Sequence, residues 1–207
     1  MKPITALDSE NIEGKVALVR VDYNVSIQEG KIADDLRIRS SLKTIEYLRG
    51  KGAKVVLISH IEGNQEGRGS ASLEPVSGYA FPFAVAFEKE IPAADNAALK
   101  GQLAQFAAEG GRLATAPNGS VFLFENLRNN PGEKENDPEF AAALASIADL
   151  FVGDAFSVSH RAHASVVGIP ALLPHYAGFQ IIDEVSHLEK GINPPHPFVF
   201  VLGGAKF

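Results

Sequence analysis

The stretch Gly153-Asp154-Ala155-Phe156-Ser157-Val158-Ser159-His160-Arg161-Ala162-His163-Ala164-Ser165 gathers an acid, an arginine, two imidazoles and several small hydroxyl residues. Shorter groups carry comparable chemistry: Asp22 with Asn24, Arg37 with Arg39, His60, and Glu125-Asn126-Leu127-Arg128. Guanidinium forks bind phosphate and carboxylate through paired hydrogen bonds, and a neutral imidazole both donates and accepts one. Arg37, Arg128 and Arg161, with an imidazole or two and an asparagine, therefore suit a small ligand bearing several anionic groups. A metal held by Asp154, His160 and His163 is the weaker reading, because Arg161 lies between the histidines and opposes a cation. No G-x-S-x-G elbow is present for a serine hydrolase. The glycine-rich run from Glu62 to Ser70, with Arg68 inside it, lacks the lysine and hydroxyl of a nucleotide-binding P-loop.

Nearly all of these residues follow an apolar run. Lys15 to Val21, Lys54 to Ser59, Val121 to Phe124 and Leu150 to Val152 are β-branched or apolar without clean alternation, as expected of strands covered on both faces. Between the first two, a helix starts at Asp34 or Asp35, either of which can cap it. Ile38, Leu42, Ile45 and Leu48 form its core stripe, and Gly50 and Gly52 close it. Arg39 faces Asp35 at i,i+4, but Arg37 has no such partner and sits where the helix dipole disfavours a cation. It reads either as a solvated arginine or as one presented to an anion beside the helix start.

Ala97 to Glu109 forms an amphipathic helix stopped by Gly110-Gly111. Asp137-Pro138-Glu139 opens another, with Phe140, Leu144 and Ile147 inward. Leu73 to Ile91 reads two ways. Phe81, Phe83, Val85 and Phe87 alternate like a strand, while Pro82 demotes that reading and the surroundings suit a helix. Val166 to Phe179 is apolar and broken by Pro170 and Pro174. Ile181 to Lys190 is helical, with Ile182, Val185 and Leu188 on one face, and Asn193 to Pro197 is a stiff linker. Phe198 to Leu202 reads as a last strand, after which the chain looks cut. Strands alternating with helices predict an α/β, Rossmann-like three-layer domain, a parallel β-sheet covered by helices on both faces, with the polar strand tips sharing one edge.

At 207 residues and 45% hydrophobic, the chain can bury one large domain, or one domain and a fragment of another. A net charge of -6 argues against broad attraction to nucleic acid or an anionic membrane, so any anion must be caught by local arginines. The absence of cysteine excludes disulfides and thiolate metal sites. Met1-Lys2-Pro3-Ile4-Thr5 has no apolar signal core, and no apolar run reaches the length of a membrane span. The chain reads as soluble and cytoplasmic, with the sequons at Asn24 and Asn118 as chance matches.

At its polar strand tips the sequence resembles the phosphoglycerate kinases. The resemblance is carried by Val19-Arg20-Val21-Asp22-Tyr23-Asn24-Val25, Asp34-Asp35-Leu36-Arg37-Ile38-Arg39, Ser59-His60 and Glu125-Asn126-Leu127-Arg128. Asp154-Ala155-Phe156, Ser159-His160-Arg161-Ala162-His163 and Leu202-Gly203-Gly204-Ala205-Lys206 complete it, in family order across nearly the whole chain. It implies a 3-phosphoglycerate-binding N-terminal domain over 1–180, an interdomain helix and linker over 181–197, and over 198–207 the first strand of a nucleotide-binding domain that is otherwise missing. The implied reaction is phosphoryl transfer between 1,3-bisphosphoglycerate and ADP in glycolysis, with Mg²⁺ and ATP or ADP bound by the complete enzyme. No metal or nucleotide is expected on this chain alone, which is predicted to be inactive without its partner domain. By the same resemblance Asp22 and Asn24 hold the glycerate end of the substrate, and His60, Arg128 and Arg161 hold its phosphate. Arg37 steadies the carboxyl-phosphate under attack, Lys206 touches the transferred phosphate, and His163 ties the substrate loop to the interdomain helix.

The match has gaps. Where the family continues Leu-Gly-Arg-Pro after the histidine, this chain reads Ile61-Glu62-Gly63-Asn64. Losing that arginine removes a charged hydrogen bond worth about 1.5–3 kcal/mol, unless Arg68 replaces it. The family's asparagine before Asp154 is Gly153, and Asn129-Asn130 replaces a Phe-His after Arg128. The competing reading is a non-catalytic module, derived from the kinase, that binds phosphoglycerate or another partner. An ordered loop bringing Arg68 to the anion site favours the kinase, and Glu62 occupying that site favours the module or a structural remnant that binds no ligand.

Overall fold

An apolar run without polar alternation is stable as a strand only where both of its faces are covered, and the centre of this protein is built that way. The computed structural model describes residues 1–62, 71–192, 194, 196–199, 201 and 203. The chain opens with β1 (Lys2–Pro3) and a 3-10 turn (Ile4–Ser9), then enters β2 (Val16–Val21) and the small hairpin β3 (Ile27–Gln28) and β4 (Lys31–Ile32). Helix α1 (Leu36–Gly50) leads to β5 (Lys54–Ile58), α2 (Glu74–Ser77), β6 (Val85–Glu88), α3 (Asn96–Ala107), α4 (Arg112–Thr115) and β7 (Val121–Phe124). The remainder is α5 (Gly132–Glu135), α6 (Pro138–Ala145), β8 (Leu150–Asp154), α7 (Ile169–Leu172), β9 (His175–Ala177) and α8 (Phe179–Ile192).

Seven strands form one sheet in the order β1-β9-β8-β2-β5-β7-β6, and every pairing in it is parallel. Successive side chains of β2 leave on opposite faces. Ala17, Val19 and Val21 join a cluster with Ile38, Ile45 and Leu48 of α1, whereas Leu18 joins Leu99 and Leu103 of α3 and Phe140 and Leu144 of α6. The sheet is thus covered by helices on both faces, as the alternation of strands and helices predicts.

From β2 the chain first moves to β5 on one side and later returns to β8 on the other, so the strand order reverses at β2. A crevice opens beyond the carboxyl ends at such a switch point. The register aligns those ends: Arg20 lies opposite Ile58 of β5 and Gly153 of β8.

Several local expectations change. The ambiguous stretch 73–91 resolves into a four-residue helix and the edge strand β6. Pro82 lies ahead of that strand, where its missing amide costs no ladder bond. Phe81 and Phe83 pack against the core from a loop. Asp35 sits at the cap of α1 but makes no capping bond. Its carboxylate is engaged by Arg39 and by the Tyr79 hydroxyl, both at 2.9 Å, and Asp34 accepts the Leu36 amide instead. The expected last strand does not form among its described members. Phe198, Val199 and Val201 are exposed and unassigned, since a strand needs a neighbour to take up its backbone groups. Residues 200, 202 and 204–207, Lys206 among them, lie outside the described residues, as do Gly63 and Arg68.

Candidate functional site at the strand-order reversal

Arg20 is the first surprise of the crevice, because it sits near the carboxyl end of an apolar strand and is only 2% exposed. Strand parity sends it to the same face as Leu18, toward α5 and the turn after His163. There its Nε donates to Ser165 Oγ at 2.9 Å. Its Nη1 donates to the Val21 carbonyl and, at 3.4 Å, to Ser59 Oγ, and Nη2 lies 2.9 Å from His60 Nδ1. Glu133, fully buried on α5, accepts from the Ser165 hydroxyl at 2.6 Å and from its amide at 3.0 Å. A cation enclosed on all sides requires such partners.

This arrangement fixes the protonation of His60. Arginine only donates, so Nδ1 must accept and the ring's single proton resides on Nε2. Burial first, then the positive charges of Arg20, Arg128 and Arg161, push the His60 pKa down to about 2. His60 therefore acts as a neutral donor. It cannot serve as an acid at any ordinary pH.

The exposed side of the crevice is a contiguous rim. Arg37 of α1 donates to Asp22 Oδ2, which also accepts from Ser157 at 2.7 Å, and Asp22 Oδ1 accepts the Asn24 amide. Asp22 thus supplies the partner that spacing along the helix could not give Arg37. Asn24 Oδ1 accepts the Glu62 amide at 2.9 Å, and the Glu62 carboxylate accepts from Arg128 Nη1 at 2.7 Å. Arg128 is held by the 3-10 turn 127–129, whose cap Asn126 bridges to the Ile61 and Ala71 carbonyls at 2.8 Å each. Glu125 reinforces the turn by accepting the Leu73 and Asn126 amides. Arg161 is exposed, and its charge depresses both His60 and His163, as that of Arg128 does.

The structure therefore brings Asp22, Asn24, Arg37, His60, Arg128 and Arg161 to one crevice. His163 lies beside Glu133. Its Nδ1 faces Glu133 Oε1 at 3.8 Å, and no bond from it to α8 is present among the described residues. His160 is exposed, and Asp154 leaves β8 on the opposite face from Arg20, where Oδ1 accepts the Gln180 amide at 2.9 Å. A metal shared by Asp154, His160 and His163 is thereby ruled out on geometry. Among the described residues no three carboxylates or imidazoles converge, and guanidinium groups line the crevice.

Glu62 on Arg128 is the arrangement that would favour a non-catalytic module, but it uses one nitrogen of the fork. Arg128 Nε and Nη2 are buried without a hydrogen-bond partner among the described residues, so Glu62 leaves the fork only partly satisfied. Arg20, Ser165 and Glu133 went unassigned in the sequence. An arginine inside an apolar run was the one available signal, and a buried acid in a four-residue helix carries none.

Comparison with known proteins follows the same line. A family model described as phosphoglycerate kinase matches residues 7–207. The chain is 45% identical over 205 residues to the phosphoglycerate kinase of Bartonella quintana (strain Toulouse), covering 97% of this chain and 48% of that protein. It is 44% identical over 208 residues to that of Coprothermobacter proteolyticus, covering 100% and 50%. The crystal structure of phosphoglycerate kinase from Pyrococcus horikoshii OT3 superposes with a TM-score of 0.80 at 27% identity, covering 100% of this chain and 49% of that one. The chain thus spans about half the length of the curated relatives it matches. It belongs to the phosphoglycerate kinase family.

Proposed function

We propose that this chain provides the 3-phosphoglycerate-binding half of a cytoplasmic phosphoglycerate kinase, acting in phosphoryl transfer between 1,3-bisphosphoglycerate and ADP. The observation that carries the reading is Arg128, a buried guanidinium with two unpartnered nitrogens in a crevice that also receives Arg37, Arg161 and a donating imidazole. Arginine cannot shed its proton to escape burial, so such a group favours a ligand anion.

In this reading Arg128, Arg161 and His60 Nε2–H hold the phosphate, and the Asn24 side chain and Asp22 orient the glycerate hydroxyl. Arg37, fixed by Asp22 at the first turn of α1, meets the carboxylate end, where the helix start adds positive potential. Phosphoryl transfer asks a protein for positioning and charge neutralisation more than for a nucleophile, which fits a site made of arginines. Magnesium and ATP or ADP belong to the complete enzyme, with Lys206 reaching the transferred phosphate there. Relatives at 41–45% identity are kinases, which weighs against a separate non-catalytic module.

Thermal unfolding with and without millimolar 3-phosphoglycerate tests the site. The ligand raises Tm by linkage to the native state, and Arg161→Glu removes that rise while leaving the unliganded Tm in place. A rise that survives the charge reversal would put the ligand elsewhere.

A further inference from the structure

Arg128 already holds an anion. Its Nη1 donates to Glu62 Oε1 at 2.7 Å, while Nε and Nη2 have no partner among the described residues. The two sides of the pair are unequal. The Arg128 side chain is 11% exposed and fixed in the wall of the crevice, whereas that of Glu62 is 54% exposed and reaches in from solvent. Glu62 is also tethered, because its amide donates to Asn24 Oδ1 at 2.9 Å. The hydrogen bond from Arg128, with the charges of Arg161 and Lys134 behind it, holds the Glu62 carboxyl below its ordinary value against partial desolvation. It is ionised at neutral pH.

A ligand anion approaching this fork meets a like charge on the same guanidinium. Uptake is then an exchange, in which the ligand takes the fork and Glu62 turns out to water. Hydration replaces most of what an exposed carboxylate loses in that step. A free carboxylate is the chemical equal of Glu62 without its tether, so it loses the competition to a group held at high local concentration. A phosphate dianion brings more charge and wins. We propose that Glu62 is a specificity-determining residue of this crevice, a tethered carboxylate that competes for Arg128 and admits phosphate in preference to carboxylate. The proposal rests on reading the crevice as a phosphoglycerate site.

Calorimetric titration of 3-phosphoglycerate into the wild type, Glu62→Gln and Glu139→Gln tests it. Glu139 is an exposed acid on α6 paired with Lys100, so its variant makes the same change in net charge away from the crevice. Glu62→Gln is expected to bind about tenfold tighter, equivalent to 1.4 kcal/mol, and Glu139→Gln to bind as the wild type does. Equal affinity in wild type and Glu62→Gln overturns the proposal and leaves the site standing. Equal tightening by both variants overturns it in favour of net charge. No uptake by any of the three sinks the proposal and the phosphoglycerate reading together.

Discussion

Arg20 and Arg128 both reach the crevice from strand ends, yet they live in opposite circumstances. Arg20 is sealed inside, with every nitrogen directed at an acceptor: Ser165, Val21, Ser59 and His60. Arg128 is nearly as deep, but two of its three nitrogens have no partner among the described residues. The same side chain is a satisfied structural ion on the inner wall and an unsatisfied one on the rim. The difference teaches how to separate framework from binding surface: count partners at each buried cation, and the shortfall marks where a ligand belongs.

The largest effect expected from that comparison lies on the inner wall. Glu133→Ala removes the acid that balances Arg20 and takes both acceptors from Ser165. An uncompensated buried charge should cost about 3–5 kcal/mol of folding stability, read as a fall in the urea midpoint at unchanged slope. A loss under about 1 kcal/mol would break the comparison, since Arg20 would then be as unsatisfied as Arg128.

Asp154 sharpens the comparison by showing a buried, half-partnered group of opposite sign. Its Oδ1 accepts the Gln180 amide, and Gly178 lies so close that an added Cβ would meet Oδ1 at 2.2 Å, but Oδ2 has no partner among the described residues. A carboxyl can escape this by keeping its proton, and burial pushes its pKa up to about 7. The unfolded chain releases that proton near pH 3.9. The group's stabilising contribution is therefore fully present below about pH 4 and is lost as pH rises to about 7. Asp154→Asn, which cannot ionise, should gain on the wild type across that window, by up to about 4 kcal/mol. Urea midpoints of both proteins at several pH values check this, and a constant difference would show Asp154 ionised throughout.

How much of this was legible beforehand follows the same physics. Strand tips could be read because an apolar run covered on both faces ends abruptly in polar residues, as at Val21-Asp22, Ser59-His60 and Phe124-Glu125. The inner wall could not, because a strand buried on both sides has no period to reveal that Arg20 faces α5. Glu133 sits in a single helical turn, too short for any periodic signal, and its partner Ser165 lies 32 residues on. Strands β1 and β9 are two and three residues long and exist by pairing outward from β8, β9 on β8 and β1 on β9, which no local pattern encodes. The edge strand β6 was obscured by Pro82, which tertiary context tolerates just outside the ladder.

The smallest expected effect decides the comparison most directly, because it should leave the fold alone. Arg128→Met keeps a long apolar stem in the wall and deletes the guanidinium. The deleted group satisfies one exposed acid, Glu62, worth about 0–1 kcal/mol, and otherwise brings desolvation without compensation. Stability should stay level or rise, the opposite of Glu133→Ala. Affinity for 3-phosphoglycerate should fall by about 1.5–3 kcal/mol, because a charge-assisted contact in the crevice is gone. Measuring Tm without ligand and affinity by calorimetry on one preparation separates the two readouts. A variant that loses stability and retains affinity would make Arg128 framework like Arg20, and the partner shortfall would then mark nothing.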